Sequence, residues 1–177
     1  MIKRLTKDNL SDLHTANQPF DIIGRLEITF QDGAWQSREA LFETAAKKQY
    51  PDYDGAEASD YADAKDRAAF LAYENGECVG QILLCRAWNR YAHIEDLSVA
   101  SAWRGKGIGK ALFEQAIGWA KEQSLCGLSL ESQDNNILAA RFFAKMGMHI
   151  GAVNTMLYHH MGAPYNTETA VFWYLDF

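Results

Sequence analysis

The sequence predicts an α+β fold: a mixed, mostly antiparallel central sheet with flanking helices and one parallel strand–helix–strand unit. Three observations carry that prediction. Ala69–Tyr73, the Asn75-Gly76 turn and Val79–Cys85 read as a tight antiparallel hairpin. Ile94–Val99, a basic glycine turn, a helix and Leu128–Glu131 read as two strands joined by a right-handed helical crossover, the connection that parallel strands require. No run of further helix–strand repeats follows that would extend a doubly wound sheet.

The remaining elements follow in chain order. Ile2–Leu5 begins an edge strand and Lys7–Thr15 a short helix. Ile22–Phe30 is rich in β-branched and aromatic residues and reads as a strand ending at the Asp32-Gly33 turn. Trp35–Phe42 is ambiguous from its residues, since Ser37 could cap a helix while a strand would complete a hairpin. Gln49–Asp66 is poor in apolar residues and carries Asp52, Asp54, Glu57, Asp60, Asp63 and Asp66. It reads as a solvated loop, or as an acidic lip that attracts a cationic substrate. Tyr91–Val99 should pair with the hairpin. The crossover helix carries Ile108, Leu112, Ala116, Trp119 and Ala120 on one stripe. Asp134 or Asn135 can cap a second helix that buries Leu138, Ala139, Phe142, Phe143 and Met146 and ends at Gly147. Met148–Tyr158 and Thr169–Asp176 are the last strands. Neither a repeat nor a linker divides the chain, so residues 1–177 are expected to form one domain.

Composition narrows the function. The formal net charge of −6 disfavours nucleic acid and suits a cationic partner. No apolar run approaches a membrane span, and Lys3 and Arg4 precede no apolar leader segment, so a cytoplasmic protein is expected. Cys78, Cys85 and Cys126 are odd in number and form no C-x-x-C, which fits free thiols. His159-His160 has no further ligands at metal-site spacing, and no metal is expected.

The turn Arg104-Gly105-Lys106-Gly107-Ile108-Gly109-Lys110 is the strongest chemical signal. Glycine lets the backbone approach a ligand, a helix N-terminus favours an anion, and three basic residues add charge. It reads as a phosphate or pyrophosphate seat. The spacing matches neither G-x-x-x-x-G-K-[ST] nor G-x-G-x-x-G.

Arg104-x-x-Gly107-x-Gly109, opening a helix after a strand, resembles the acetyl-CoA loop of the GNAT N-acetyltransferases. So does Asn136–Met148, which resembles that family's second helix. Trp88–Asp96, Leu130–Asn136, Asn154–Tyr158 and Ala170–Leu175 are similar to the streptothricin acetyltransferases within the family. The resemblance is good over about residues 70–177 and looser before. It implies a GNAT-like fold, a strand over residues 35–42 and a bulge near Leu97-Ser98.

It also implies acetyl transfer from acetyl-CoA to a primary amine, by direct attack, with the β-lysine moiety of streptothricin as acceptor. A polyamine, amino acid or protein lysine would be the alternative acceptor, and a non-catalytic acetyl-CoA-binding module the alternative role. Glu95 matches an acidic position and is the expected base, with neighbouring Asp96 as competitor pointing to the other sheet face. The backbone of Leu97, Ser98 and Val99 would hold the pantetheine arm, residues 104–110 the pyrophosphate, and Asn136 the arm again. Phe143 occupies the cofactor-side position where many members have tyrosine as the acid, so either the thiolate leaves without an acid, which its modest pKa permits, or Tyr158 or Tyr91 serves instead. Trp88, Tyr91, Glu95, Asp96 and Trp173 would receive the ammonium group by charge and cation–π contact. The resemblance is compatible with a homodimer.

Overall fold

In a computed structural model, which describes residues 1–50 and 57–177, the chain forms two compact units. The first comprises residues 1–20, 49–128 and 176–177, and the second residues 21–48 and 129–175. Asp52 and Asp54 of the acidic stretch lie outside the described residues.

In the first unit the strands β1 (Ile2–Arg4), β4 (Arg67–Glu74), β5 (Glu77–Arg86) and β6 (Tyr91–Val99) lie side by side in that order, each pair antiparallel. The β4–β5 hairpin turns at Asn75-Gly76, both with positive φ, as the Asn-Gly signal requires. One sheet face receives α1 (Ile108–Glu122), whose buried stripe is Leu112, Phe113, Ala116, Trp119 and Ala120. Gly80 of β5 lies under the start of this helix, leaving no room for a side chain: a Cβ there would stand 2.9 Å from Ile108 Cγ2 and 3.1 Å from Leu112 Cδ1.

The other face holds a separate core of Leu5, Leu13, Tyr61, Ala69, Leu71, Tyr73 and Leu83. Two expectations change here. Lys7–Thr15 contains only one 3-10 turn, Leu10–Asp12, held by side-chain bonds such as Thr6 N–H to Asn9 Oδ1 at 2.7 Å. The Gln49–Asp66 stretch is no uniformly solvated loop, because its second half forms a 3-10 turn, Ala58–Asp60, that delivers Tyr61 into the core at 0% exposure.

β6 carries a bulge, at Glu95 rather than at the expected Leu97-Ser98. Leu83 pairs with Asp96 while the next residue, Leu84, pairs with Ile94, so Glu95 has no rung of its own. An extra residue shifts the side-chain phase. Asp96 therefore shares the face of its partner Leu83, and Glu95, which meets Tyr61 of the same core, lies on that face too. The expectation that the two carboxylates point to opposite faces fails for this reason.

In the second unit β2 (Phe20–Gln31) and β3 (Ala34–Lys48) form a two-stranded ribbon, which settles residues 35–42 as strand. β7 (Gly127–Gln133), β9 (Ala170–Asp176) and β8 (His149–Asn154) follow one another in space, with β8 and β9 antiparallel. α2 (Ile137–Lys145) buries Ile137, Ala140 and Phe143, and Gly147 follows it at φ 88 as the expected left-handed C-terminal residue. The expected stripe is displaced: Leu138 is 43% exposed, while Ile137 beside it is buried. The strand expected over Met148–Tyr158 ends at Asn154, and Tyr158 sits in the turns beyond.

Candidate active site

The glycine turn has the geometry of an anion seat. Val99 ends β6, the 3-10 turn Ser101–Trp103 redirects the chain, and Gly105 and Gly107 adopt φ of 74° and 88°. Gly107 is the N-cap of α1, and its carbonyl accepts the Ala111 N–H at 3.0 Å. The N–H groups of the helix's first turn have no partners within the helix. A Cβ at either glycine would meet nothing within 4 Å, so the turn borders open space. Lys106 and Lys110 are exposed there, Lys106 over the Trp103 ring at 4.7 Å and Lys110 paired with Glu114 at 3.7 Å. Arg104 is committed differently: Nε donates to the Val99 carbonyl at 2.8 Å, and Nη1 and Nη2 donate to those of Pro19 and Gln18 at 2.7 and 2.9 Å. It braces the turn against the N-terminal segment. Amide groups, open space and two ammonium groups suit a pyrophosphate.

Upstream on the same strand, the two candidate carboxylates have different surroundings. Both oxygens of Asp96 are engaged: Gln81 Nε2 donates to Oδ2 at 2.6 Å, and Ser98 Oγ lies 2.8 and 2.9 Å from Oδ1 and Oδ2. Gln81 is fully buried and is held in turn by the His14 N–H at 2.7 Å. Burial pushes the Asp96 carboxyl above its usual range, with the Gln81 and Ser98 bonds opposing that rise. Glu95 has an 8% exposed side chain. The Tyr61 hydroxyl donates to its Oε2 at 2.8 Å, and Arg67 Nη1 stands 3.9 Å from the same oxygen. The cation partner is thus Arg67, not Arg86 or Arg90. Of the other residues expected in the first unit, Trp88 is 95% exposed in the β5–β6 turn, and the Tyr91 hydroxyl donates to Asp176 at 2.5 Å.

The second unit holds the remaining expected residues in two groups. Phe143 and Trp173 form a buried pair, their rings 5.8 Å apart, and the Trp173 indole N–H donates to Ser132 Oγ at 3.0 Å. Trp173 is therefore core, and Phe172 is the partly exposed one of the two adjacent aromatics. Tyr158 donates to the Glu131 carboxylate through a short hydrogen bond and accepts from Gln133 Nε2 at 2.8 Å. Burial raises the Glu131 carboxyl, and the Tyr158 bond works against that. Asn136 caps α2, its Oδ1 accepting the Ala139 N–H at 3.2 Å. Nearby, Lys48 and Glu168 make a buried 2.5 Å ion pair that Asn135 Nδ2 joins at 2.9 Å.

The sequence profile of the acetyltransferase (GNAT) family matches residues 34–148, well over half of the chain. The chain belongs to the GNAT family. Streptothricin acetyltransferase A of Bacillus subtilis (strain 168) is 45% identical over 177 residues, covering both chains completely. A streptothricin acetyltransferase of Escherichia coli is 38% identical over 116 residues, 66% of each chain. A Bacillus anthracis protein assigned as a streptothricin acetyltransferase, solved in complex with acetyl coenzyme A, superposes with a TM-score of 0.91 at 28% identity, over 100% of this chain and 99% of that one. The α+β GNAT-like fold expected from the sequence is thereby established. This GNAT protein is an acetyl-CoA-dependent N-acetyltransferase, and the glycine turn fits its cosubstrate. Among the described residues no group of three or more His, Cys, Asp or Glu could hold a metal ion, and no helix is long and apolar enough to cross a membrane.

Tyr61, Gln81, Lys48 and Glu168 escaped the sequence reading. The only signal for Tyr61 was a lone aromatic between acidic residues, and for Gln81 a lone polar residue inside an apolar strand.

Proposed function

We propose that the chain, acting as one domain, acetylates a primary amine of streptothricin-type antibiotics, on their β-lysine moiety, and so confers resistance in the cytoplasm. The observation that carries this reading is the full-length 45% identity to a streptothricin acetyltransferase. Acetyl-CoA supplies the activated acetyl thioester. The amide groups at Gly107–Lys110, with Lys106 and Lys110, hold its pyrophosphate, and the backbone of Leu97–Val99 and the Asn136 side chain hold the pantetheine arm.

The acceptor amine arrives mostly as ammonium near pH 7. Glu95 draws it by charge and takes its proton, directly or through water. Asp96 is a poorer base because Gln81 and Ser98 already occupy both its oxygens. The neutral amine then attacks the carbonyl carbon: the C–N bond forms, the C–S bond breaks, sulfur leaves as thiolate, and the nitrogen gives up its surplus proton to water. No acyl-enzyme is formed. Backbone N–H near Leu97 stabilises the developing oxyanion. Phe143 has no hydroxyl to give, and Tyr158 is assigned the proton for the thiolate. Thiols ionise near pH 8.5, so this help is modest. Trp88 and Tyr91 are left to line the acceptor.

Thiol release from acetyl-CoA, with mass analysis of products, tests the reading on streptothricin, spermidine, lysine and a lysine peptide. One acetyl group added efficiently to streptothricin alone is the expected result. Turnover only on another amine would discard the resistance role. Unchanged acetyl-CoA affinity in Gly107→Trp would remove the turn from the cosubstrate site.

A further inference from the structure

Glu95 is held in an unusual way for a residue that must meet a substrate. The bulge removes it from the β-ladder, so no rung fixes its backbone. What fixes it is side-chain contact from three other segments. Tyr61, 0% exposed, brings its hydroxyl 2.8 Å from Oε2. Arg67 of β4 stands 3.9 Å from that oxygen and lies over the Tyr61 ring at 5.4 Å. Cys85 of β5, the strand partner of His93, faces the same carboxylate. His93 of β6 also faces Glu95, and Asp60 and Asp66 stand behind Arg67 and Cys85 respectively. Burial and then Glu95 itself push the Cys85 thiol up to about 12, and burial lowers His93, so both face Glu95 uncharged near neutral pH.

We infer that Tyr61 is a positioning residue for the acetyl-transfer reaction: its hydroxyl, braced by Arg67, pins Oε2 of Glu95 and thereby aims Oε1 at the acceptor amine. This rests on Glu95 being the base. Tyr61 and Arg67 both address Oε2, which assigns Oε1 to the substrate. The segment that delivers Tyr61, the 58–60 turn, thus joins the active site without any catalytic group of its own.

The test is the pH dependence of kcat and kcat/KM for wild type, Tyr61→Phe and Glu95→Gln, with acetyl-CoA and streptothricin. Phenylalanine keeps the ring packing and removes only the hydroxyl. The expected result is a roughly tenfold lower kcat, an unchanged KM for acetyl-CoA, and an acid limb moved to higher pH. A 3-fluorotyrosine at position 61, a more acidic donor of nearly the same shape, should move that limb to lower pH. Wild-type kcat with an unmoved limb in Tyr61→Phe, while Glu95→Gln is inactive, overturns the role of Tyr61 and leaves the base in place. Wild-type turnover in Glu95→Gln overturns the base, and this inference with it. If Tyr61→Phe fails to fold, the fluorotyrosine protein decides, and an unmoved limb there overturns the proposal.

Discussion

Gly80→Ala should weaken both the fold and cosubstrate binding, because one methyl group would be added where α1 rests on β5. The new Cβ would stand 2.9 Å from Ile108 Cγ2, 3.1 Å from Leu112 Cδ1 and 3.3 Å from the Ser98 carbonyl oxygen. Carbon atoms pack best at about 3.5–4.0 Å, so Ile108 must yield by about half an ångström or more and the other two neighbours by a few tenths. None yields easily. Leu112 is fully buried, Ile108 is stiff at χ1, and Ser98 O belongs to the paired strand β6. Overpacking of this kind costs about 1–3 kcal/mol. For a chain of this size a loss of about 2 kcal/mol lowers Tm by about 4–8 °C. Ile108 directly follows Gly107, the cap of α1, so the displacement reaches the turn, and acetyl-CoA affinity should fall several-fold. Thermal unfolding without ligand and calorimetric titration with acetyl-CoA measure the two effects. Gly118→Ala is the control. It lies inside the same helix with nothing near its Cβ position, and should raise stability by about 0.5–1 kcal/mol. A Gly80→Ala protein with wild-type Tm and affinity would refute the claim that close packing at Gly80 seats the turn.

Three further outcomes are expected. Lys48→Met leaves Glu168 without its cation at a side-chain exposure of 2%, and urea unfolding should show a loss of about 3–5 kcal/mol, with a loss under about 1 kcal/mol counting against it. Glu131, raised by burial, keeps its proton in the folded chain to higher pH than in the unfolded one, so its contribution falls as pH rises through the carboxyl range toward its folded value. The stability of wild type minus that of Glu131→Gln should therefore be larger at pH 5 than at pH 8, and a difference that grows with pH would contradict this. Among the thiols, exposed Cys126 should react first with iodoacetamide in the native protein, while Cys85, pushed up to about 12 by burial and Glu95, stays protected. Peptide mass mapping that found Cys85 labelled first would be the opposite result.

What the sequence disclosed was what periodicity and turn chemistry encode. The β4–β5 hairpin, with Asn75-Gly76 at its tip, was legible because that dipeptide supplies two residues able to take positive φ. The α1 stripe and the glycine turn were legible for similar local reasons. Residues 34–48 were not, since Trp35–Phe42 satisfies both periods and only pairing with β2 decides. Tyr61 was hidden because its burial depends on Leu5, Leu13, Leu71 and Leu83, all distant in sequence. The bulge was expected two residues too late. Nothing local marks Glu95 as the unpaired residue, because a bulge is a property of two strands together. The site reading suffered accordingly: the choice between Glu95 and Asp96 turned on which face each occupies, and alternation gave the wrong answer for the pair.

That single surplus residue in β6 also bears on how such a protein could drift or be engineered. Removing Glu95 would make the β5–β6 ladder regular from Gly80 to Arg86 without costing a rung, and would relieve a buried carboxylate. Selection for robustness alone would favour that shortened strand, whereas an acetyltransferase that uses Glu95 must retain the irregularity. Libraries screened by heat tolerance without an activity screen should therefore collect deletions or apolar replacements at position 95, and the sturdiest survivors would be the ones that no longer work.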